Sequence, residues 1–269
     1  MISKRYDLKN RFALLTGAGG LLGLEHAIAL LETGAGIVIT DINLKKLKIN
    51  YQILNKNFKN KKIIMKVMDV TNEKSILKCR DYLKKSKINI DILLNNASFN
   101  PKANSLKNNQ LESFSLKQWQ KEFEIGLTGA FLCSKIFGQE MAKRKKGVIL
   151  NISSDLSVIS PDQRIYNKKE KKINVKPITY SVIKTGLIGM TRYLATYWAN
   201  KNVRCNALSP GGVKKDQDIQ FIRKIKKLIP LNRMAEKNEY HAAIQFLCSD
   251  ASSYMNGHNM VIDGGRSVW

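Results

Sequence analysis

Short runs of Val, Ile and Leu alternate with stretches of helical spacing along the whole chain. This alternation restricts the available folds more than any other feature. FALLT (12–16), GIVIT (36–40), IIMKV (63–67), IDILLNNA (90–97), GVILNIS (147–153) and VRCNALS (203–209) read as buried strands, with MVI (260–262) as a seventh. Between them lie LLGLEHAIALLETG (21–34), which stops at a glycine, the helical NLKKLKINYQILNKN, and the stretch after Thr71. A long helix from about Leu116 to Arg144 follows, and a further helix opens at PITYSVIK (177–184). The strands are almost continuously apolar, as strands are when helices cover both sides of a sheet. The order predicts an α/β fold, doubly wound, with a seven-stranded parallel sheet flanked by helices on both faces. No linker, repeat or low-complexity tract interrupts it, so residues 1–269 read as one domain. Two irregular stretches, 98–115 and 155–179, have the length of lids or binding loops.

Composition excludes several other classes. Hydrophobic residues make up 43% of the chain, enough for a substantial core. No apolar run approaches the roughly 18–20 residues that span a bilayer, so no membrane role is expected. MISKRYDLKN lacks the apolar centre of an export signal, which points to a cytoplasmic protein. Cys79, Cys133, Cys205 and Cys248 have no CxxC spacing and read as reduced, buried residues. Neither a disulfide framework nor a metal site is expected. The net charge of +25 invites a nucleic-acid reading. Against it, the lysines are spread along the chain among many asparagines. The tightest basic runs, KRKK (143–146) and KKEKK (168–172), fall at a helix end and in a loop. No nucleic acid is expected as partner; a positive field of this size suits an anionic small molecule.

TGAGGLLG (16–23) follows the first strand and opens a helix. Gly17, Gly19, Gly20 and Gly23 permit a tight turn, and the backbone through Leu22 can approach a pyrophosphate at the positive end of the helix. Asp41 ends the second strand roughly twenty residues on. A carboxylate there accepts hydrogen bonds from ribose hydroxyls and repels a 2′-phosphate, which favours NAD over NADP. The competing role for Asp41 is to cap the helix that begins at Asn43.

With TGAGGLLG, LLNNAS, NISSDLS, YSVIK and NALSPGG in this order, and a closing IDGG, the chain resembles the short-chain dehydrogenase/reductases over about residues 9–265. The resemblance implies a Rossmann fold and a reaction carried by Ser154, Tyr180 and Lys184. It implies cofactor contacts from Asp69 and Val70 after the third strand, from the turn at Asn95, Asn96 and Ala97, and from Pro210, Gly211 and Val213 after the sixth. Residues 153–199 and the ending VIDGGRSVW look like dehydrogenases of bacterial surface-polysaccharide and sialic-acid-like sugar pathways. That narrower likeness implies a sugar or amino-sugar substrate. Two positions depart from the family pattern. Leu21 stands where a glycine is usual, and Gly126 stands where a catalytic asparagine supports a water in the proton relay from the lysine.

Tyr180 and Lys184, at i and i+4, share one helix face. A free phenol ionises near pH 10, too high for a base at neutral pH, and a neighbouring ammonium lowers it. Tyr180 can then exchange a proton with the alcohol oxygen, with Ser154 orienting that oxygen and Lys184 also holding a ribose. For the substrate, Asp162, Gln163, Arg164 and Tyr166 lie in the loop between Ser154 and Tyr180, with Phe99 and Asn100 as a facing wall. Arg164 either clamps a phosphate or carboxylate, or pairs with Asp162 to brace the loop. KKDQDIQFIRKIKKLIP, after the sixth strand, reads as a basic amphipathic lid, with Arg223 on it. Gly186 and Gly189 allow close helix packing in a homodimer or homotetramer. An epimerase or dehydratase using transient oxidation, and a non-catalytic dinucleotide-binding protein, are the alternatives to a dehydrogenase.

Overall fold

The computed structural model describes residues 4–99, 109–166 and 174–269. Seven strands form one sheet: β1 (Phe12–Leu15), β2 (Gly36–Asp41), β3 (Ile63–Val67), β4 (Ile90–Asn95), β5 (Gly147–Ile152), β6 (Val203–Pro210) and β7 (Asn259–Ile262). Their order is β3-β2-β1-β4-β5-β6-β7, and every pairing is parallel. The chain builds outward from β1 to β3 on one side, then returns to place β4 on the other side of β1. The strand order therefore reverses between β1 and β4, which opens a crevice at the carboxyl ends of those strands.

Alternate residues of each strand serve opposite faces. Ala13, Leu15, Ile37 and Ile39 pack with Leu30 and Leu31 of α1 (Leu21–Glu32) and with Ile244 and Leu247 of α9 (His241–Cys248). Leu14, Val38 and Leu93 face the other way, toward Ile76 of α3 (Glu73–Lys85) and Leu194 of α7 (Ile178–Tyr197). Each fully buried Leu or Ile contributes roughly 1.5–3 kcal/mol. The helix expected from Leu116 is continuous over 116–143 but not uniform. The α-helical pieces α4 (Leu116–Phe123), α5 (Gly129–Cys133) and α6 (Gln139–Lys143) are joined by π turns at Glu124–Thr128 and Ser134–Gly138. Each π turn carries a glycine pressed by a large side chain from the α7 region, Gly126 by Ile183 and Gly138 by Trp198. Of the two further helices, α2 (Leu44–Asn57) packs on β2 and β3, and α8 (Ile219–Lys226) packs on the turn at Gln163–Tyr166. The four cysteines are free and buried. Among the described residues, no helix is long and apolar enough to cross a membrane, and no cluster of three or more His, Cys, Asp or Glu could hold a metal ion.

His26 on α1 is fully buried, and its imidazole is pushed down to about 3, first by burial and then by the nearby His241. The folded protein thus keeps it neutral where an unfolded histidine takes a proton, near pH 6.5. The stability linked to this group is complete above about pH 6.5 and is lost as pH falls from there toward 3, at about 1.4 kcal/mol per pH unit. Urea unfolding of wild type and His26→Leu from about pH 7 to pH 5 should show this slope in the wild type and its absence in the variant.

Candidate active site

The glycine turn after β1 is built by close backbone contact. Gly17 has φ +66°, and a Cβ there would lie 2.7 Å from Ala97 Cα. A Cβ on Gly23 would lie 2.6 Å from the Gly17 carbonyl oxygen. From the β4 side, Asn96 Nδ2 donates to the Thr16 and Gly17 carbonyls at 2.9 and 3.1 Å. The backbone N–H groups of Asn96 and Ala97 both donate to Thr16 Oγ1 at 3.0 Å. Helix α1 then begins at Leu21, with Gly20 as an N-cap that has no side chain and no acidic residue in the first turn. The first N–H groups of the helix are left for an anion. Leu21 lies inside the helix and outside the positive-φ residues, so this turn does not need the family's usual glycine there.

Asp41 does not cap α2; Asn43 does, its Oδ1 accepting from Lys46 N. Asp41 instead reaches across to the glycine turn. Its Oδ2 accepts from Gly19 N at 2.9 Å and its Oδ1 from Asn43 N at 2.8 Å. A Cβ on Gly19 would lie 2.9 Å from that Oδ2. A backbone cradle that side chains would fill, an open helix start and a carboxylate at its rim fit the pyrophosphate and ribose of a nicotinamide dinucleotide.

The remaining positions expected at the cofactor divide into rim and support. Asp69 Oδ1 accepts from both Thr71 N and Thr71 Oγ1, which shapes the turn after β3. Val70 is buried against Gly129. Asn95 is buried, and its Nδ2 donates to Ser134 Oγ at 2.9 Å and Asn151 Oδ1 at 2.8 Å, tying β4 to the 116–143 helix and to β5. Pro210 ends β6. Gly211 sits so close to Asp263 that a Cβ would lie 2.8 Å from its Cα, and Val213 bridges to Ala235. A small cleft opens beside this turn, lined by Gly211, Gly212, Ile262 and Asp263.

Ser154, Tyr180 and Lys184 come together at the carboxyl end of β5. Ser154 is extended and buried, and its hydroxyl favours the ionised form of the nearby Tyr180 phenol. Helix α7 starts immediately after Pro177, so Tyr180 lies in its first turn and Lys184 one turn further on. Lys184 is 5% exposed; its Nζ donates to the Ile152 carbonyl at 2.8 Å and lies 5.8 Å from the Tyr180 ring centroid. In return, Ser153 Oγ donates to the Lys184 carbonyl at 2.7 Å. Burial lowers the Lys184 ammonium to about 8, with the charge of Lys176 as the second cause. Tyr180 is pushed upward by burial, an effect opposed by Ser154 and reinforced by Asp155.

Asp155 and Lys176 were not expected at the site. Asp155 Oδ1 accepts from Ser154 Oγ at 2.8 Å, and its Oδ2 accepts from Arg266 Nη1 at 2.8 Å, both residues of this ion pair being buried. The signal available in the sequence was a carboxylate directly after the candidate serine and an arginine after the closing glycines. Lys176 Nζ lies 3.6 Å from the Tyr180 ring centroid, and its only sequence mark is its place before Pro177.

Of the residues expected to bind substrate, Arg164 takes the bracing arrangement. Its Nε and Nη2 both donate to Asp162 at 2.9 Å, while its own side chain is 89% exposed. Gln163 holds the Lys176 backbone, accepting from its N–H at 2.8 Å. Tyr166 packs on Phe221 of α8, ring centroids 5.6 Å apart, beside a small cluster of Ile165, Ile225, Ile229 and Met234. The expected basic lid is therefore seated on the substrate loop, and Lys224 Nζ donates to the Arg164 carbonyl at 3.3 Å. Phe99 is partly buried, whereas Asn100 lies outside the described residues.

A parallel sheet reversing at β1/β4, a glycine turn with a carboxylate rim, and a Ser-Tyr-Lys group at the end of β5 define an NAD(P)-dependent oxidoreductase acting on CH–OH groups. Residues 17–267 match the enoyl-(acyl carrier protein) reductase family, and the chain belongs to the short-chain dehydrogenase/reductases. It is 32% identical over 270 residues to an NAD-dependent glycerol dehydrogenase from Listeria innocua, covering 98% of this chain and 97% of that one. A D-threitol dehydrogenase from Mycolicibacterium smegmatis is 30% identical over 269 residues, covering 98% of this chain and 95% of that one. A crystal structure of a gluconate 5-dehydrogenase from Burkholderia cenocepacia, in complex with NADP and tartrate, superposes with TM-score 0.84 at 27% identity, covering 98% of each chain.

Gly126 is closed to side chains, because a Cβ would lie 2.7 Å from Ile183 Cγ2. Restoring the family's asparagine by Gly126→Asn should therefore destabilise the protein by about 1–3 kcal/mol in denaturant titrations. The double variant Gly126→Asn, Ile183→Ala should lose less than the sum of the single losses, since the alanine opens the space that the asparagine fills.

Proposed function

We propose that this chain is an NAD-preferring dehydrogenase that interconverts a secondary alcohol and a ketone on a sugar or amino-sugar derivative. The observation that carries the proposal is the convergence of Ser154, Tyr180 and Lys184 at the sheet edge beside the glycine turn. When bound, the nicotinamide supplies the site that accepts or donates hydride. Tyr180 exchanges a proton with the substrate oxygen at its phenol oxygen, and Ser154 orients that oxygen through its hydroxyl. Lys184, fixed by the Ile152 carbonyl, favours the phenolate against the upward push of burial.

The preference for NAD rests on Asp41, whose carboxylate stands at the rim of the glycine turn and opposes a 2′-phosphate. A polyhydroxylated substrate is in keeping with the glycerol, threitol and gluconate dehydrogenases to which the chain is similar. An amino-sugar or acidic sugar of a surface-polysaccharide pathway is the narrower candidate, supported by the likeness of residues 153–199 and by the positive net charge. Assembly into a homodimer or homotetramer is part of the proposal. Phe131, Tyr193 and Tyr197 are half or more exposed on neighbouring helices, and Gly189 leaves open space on α7 for an approaching helix.

Tyr180→Phe should lower NAD-dependent oxidation of a responsive polyol at least about 100-fold while leaving NAD binding, followed by fluorescence, nearly intact. Retained turnover would refute the role of Tyr180. Asp41→Ser should weaken NAD about tenfold and narrow the gap to NADP, read from the ratio of the two kcat/KM values.

A further inference from the structure

We propose that Lys176 is a second ammonium acting on Tyr180, a positioning residue that draws the phenol toward its ionised form beside the cation on α7. This inference rests on the role of Tyr180 as the base. Lys176 Nζ lies 3.6 Å from the Tyr180 ring centroid, well inside the distance at which an ammonium over an aromatic face is attracted. Lys184 Nζ is 5.8 Å from the same centroid and is engaged by the Ile152 carbonyl at 2.8 Å. Of the two cations, the one outside the familiar Tyr-x-x-x-Lys spacing is the closer to the ring. A phenolate carries more negative charge over its ring and oxygen than a phenol, so an ammonium in this position favours ionisation.

Lys176 does not reach the ring by chance of a mobile loop end. Gln163 brackets its backbone, Oε1 accepting from Lys176 N at 2.8 Å and Nε2 donating to Lys176 O at 3.4 Å. Pro177 follows as the N-cap of α7, with φ fixed at −63°. The substrate loop and the start of the catalytic helix are thus joined at the residue that carries the ammonium. The charged and titratable groups facing Tyr180 come from several elements. Ser154 favours its ionisation, Asp155 opposes it, Lys184 lies one turn along α7, and Tyr166 lies near it on the substrate loop. Burial lowers the Lys176 ammonium to about 8, and Asp155 and then Glu122 oppose that and favour its charge, while Arg266 neutralises part of Asp155. Burial and Asp155 push the phenol upward, so a single buried lysine, itself lowered to about 8, has much to offset. At Gly126, packed by Ile183, there is no side chain to support the family's usual water. A second cation supplies electrostatic help at the tyrosine by a different route.

The test reads ionisation and needs no substrate. The near-ultraviolet tyrosinate absorbance is titrated in wild type, Lys176→Met, Lys176→Gln and Lys176→Arg, each against its own Tyr180→Phe counterpart, so the difference isolates Tyr180. Circular dichroism checks that each variant is folded. The midpoint in wild type already carries the upward push of burial. It should rise by about one pH unit in the Met and Gln variants and stay near wild type in the Arg variant. An unmoved midpoint in the Met and Gln variants overturns the inference. So does an equal shift in the Arg variant, which would signal lost packing and not lost charge. If the expected shift appears in a protein that oxidises no polyol, the proposed activity fails and the cationic role of Lys176 stands.

Discussion

Two reciprocal hydrogen bonds fasten the end of β5 to α7, and the geometry of the site follows from them. Lys184 Nζ donates to the Ile152 carbonyl, and Ser153 Oγ donates to the Lys184 carbonyl. One bond gives a buried ammonium an acceptor, the other gives a buried hydroxyl one, and both cross between the same two segments. Neither partner could be left bare in this interior without a cost of roughly 1–3 kcal/mol, more for the charged group. With the strand and helix locked in register, Ser154 and Tyr180 have little freedom to part. Asn151 adds a third tie deeper in the sheet, donating to Thr191 Oγ1 on α7 at 2.8 Å. The reacting groups therefore inherit the rigidity of the core and not that of the loops around them.

The two halves of the site are joined by an equally economical device. Thr16 accepts from two N–H groups of the β4 turn with one hydroxyl, and Asn96 returns two bonds to the β1 turn with one amide. These contacts close the crevice where the strand order reverses. Positive φ at Gly17 and its closeness to Ala97 make that closure possible. Several residues expected to touch a dinucleotide thus have a structural task that comes first. Asn95 and Asn96 hold strands and turns in place, and Asp41 fixes the Gly19 and Asn43 amides.

The sheet was legible because its strands are apolar on both faces and short, a pattern that only a covered parallel sheet explains. All seven strands fall where the alternation puts them, even the brief MVI segment, which is part of β7. The glycine turn and the Tyr-Lys helix were legible for a different reason, since local chemistry confines those residue types. What escaped was contact between distant parts of the chain. Arg266 meets Asp155 across 111 residues, and no periodicity marks such a pair. The π turns in the 116–143 helix arise where Ile183 and Trp198 press on glycines, a tertiary matter that helical spacing does not encode. For Arg164, two outcomes were chemically equal in the sequence. Geometry selected the pairing with Asp162, which lies two residues away and needs no ligand.

The buried pair of Asp155 and Arg266 gives the site a history as well as a shape. The serine, the tyrosine and both lysines are all synthesised well before the arginine that neutralises the carboxylate beside them. While the chain is being made, the sheet can assemble through β6 with that carboxylate still without its guanidinium. An unpaired buried charge is costly, so the region around Ser154 has reason to stay loose until Arg266 arrives. Maturation of the reaction centre is thereby coupled to synthesis of a distant arginine, and a nascent chain interrupted before residue 266 would carry the reacting groups without the contact that settles them.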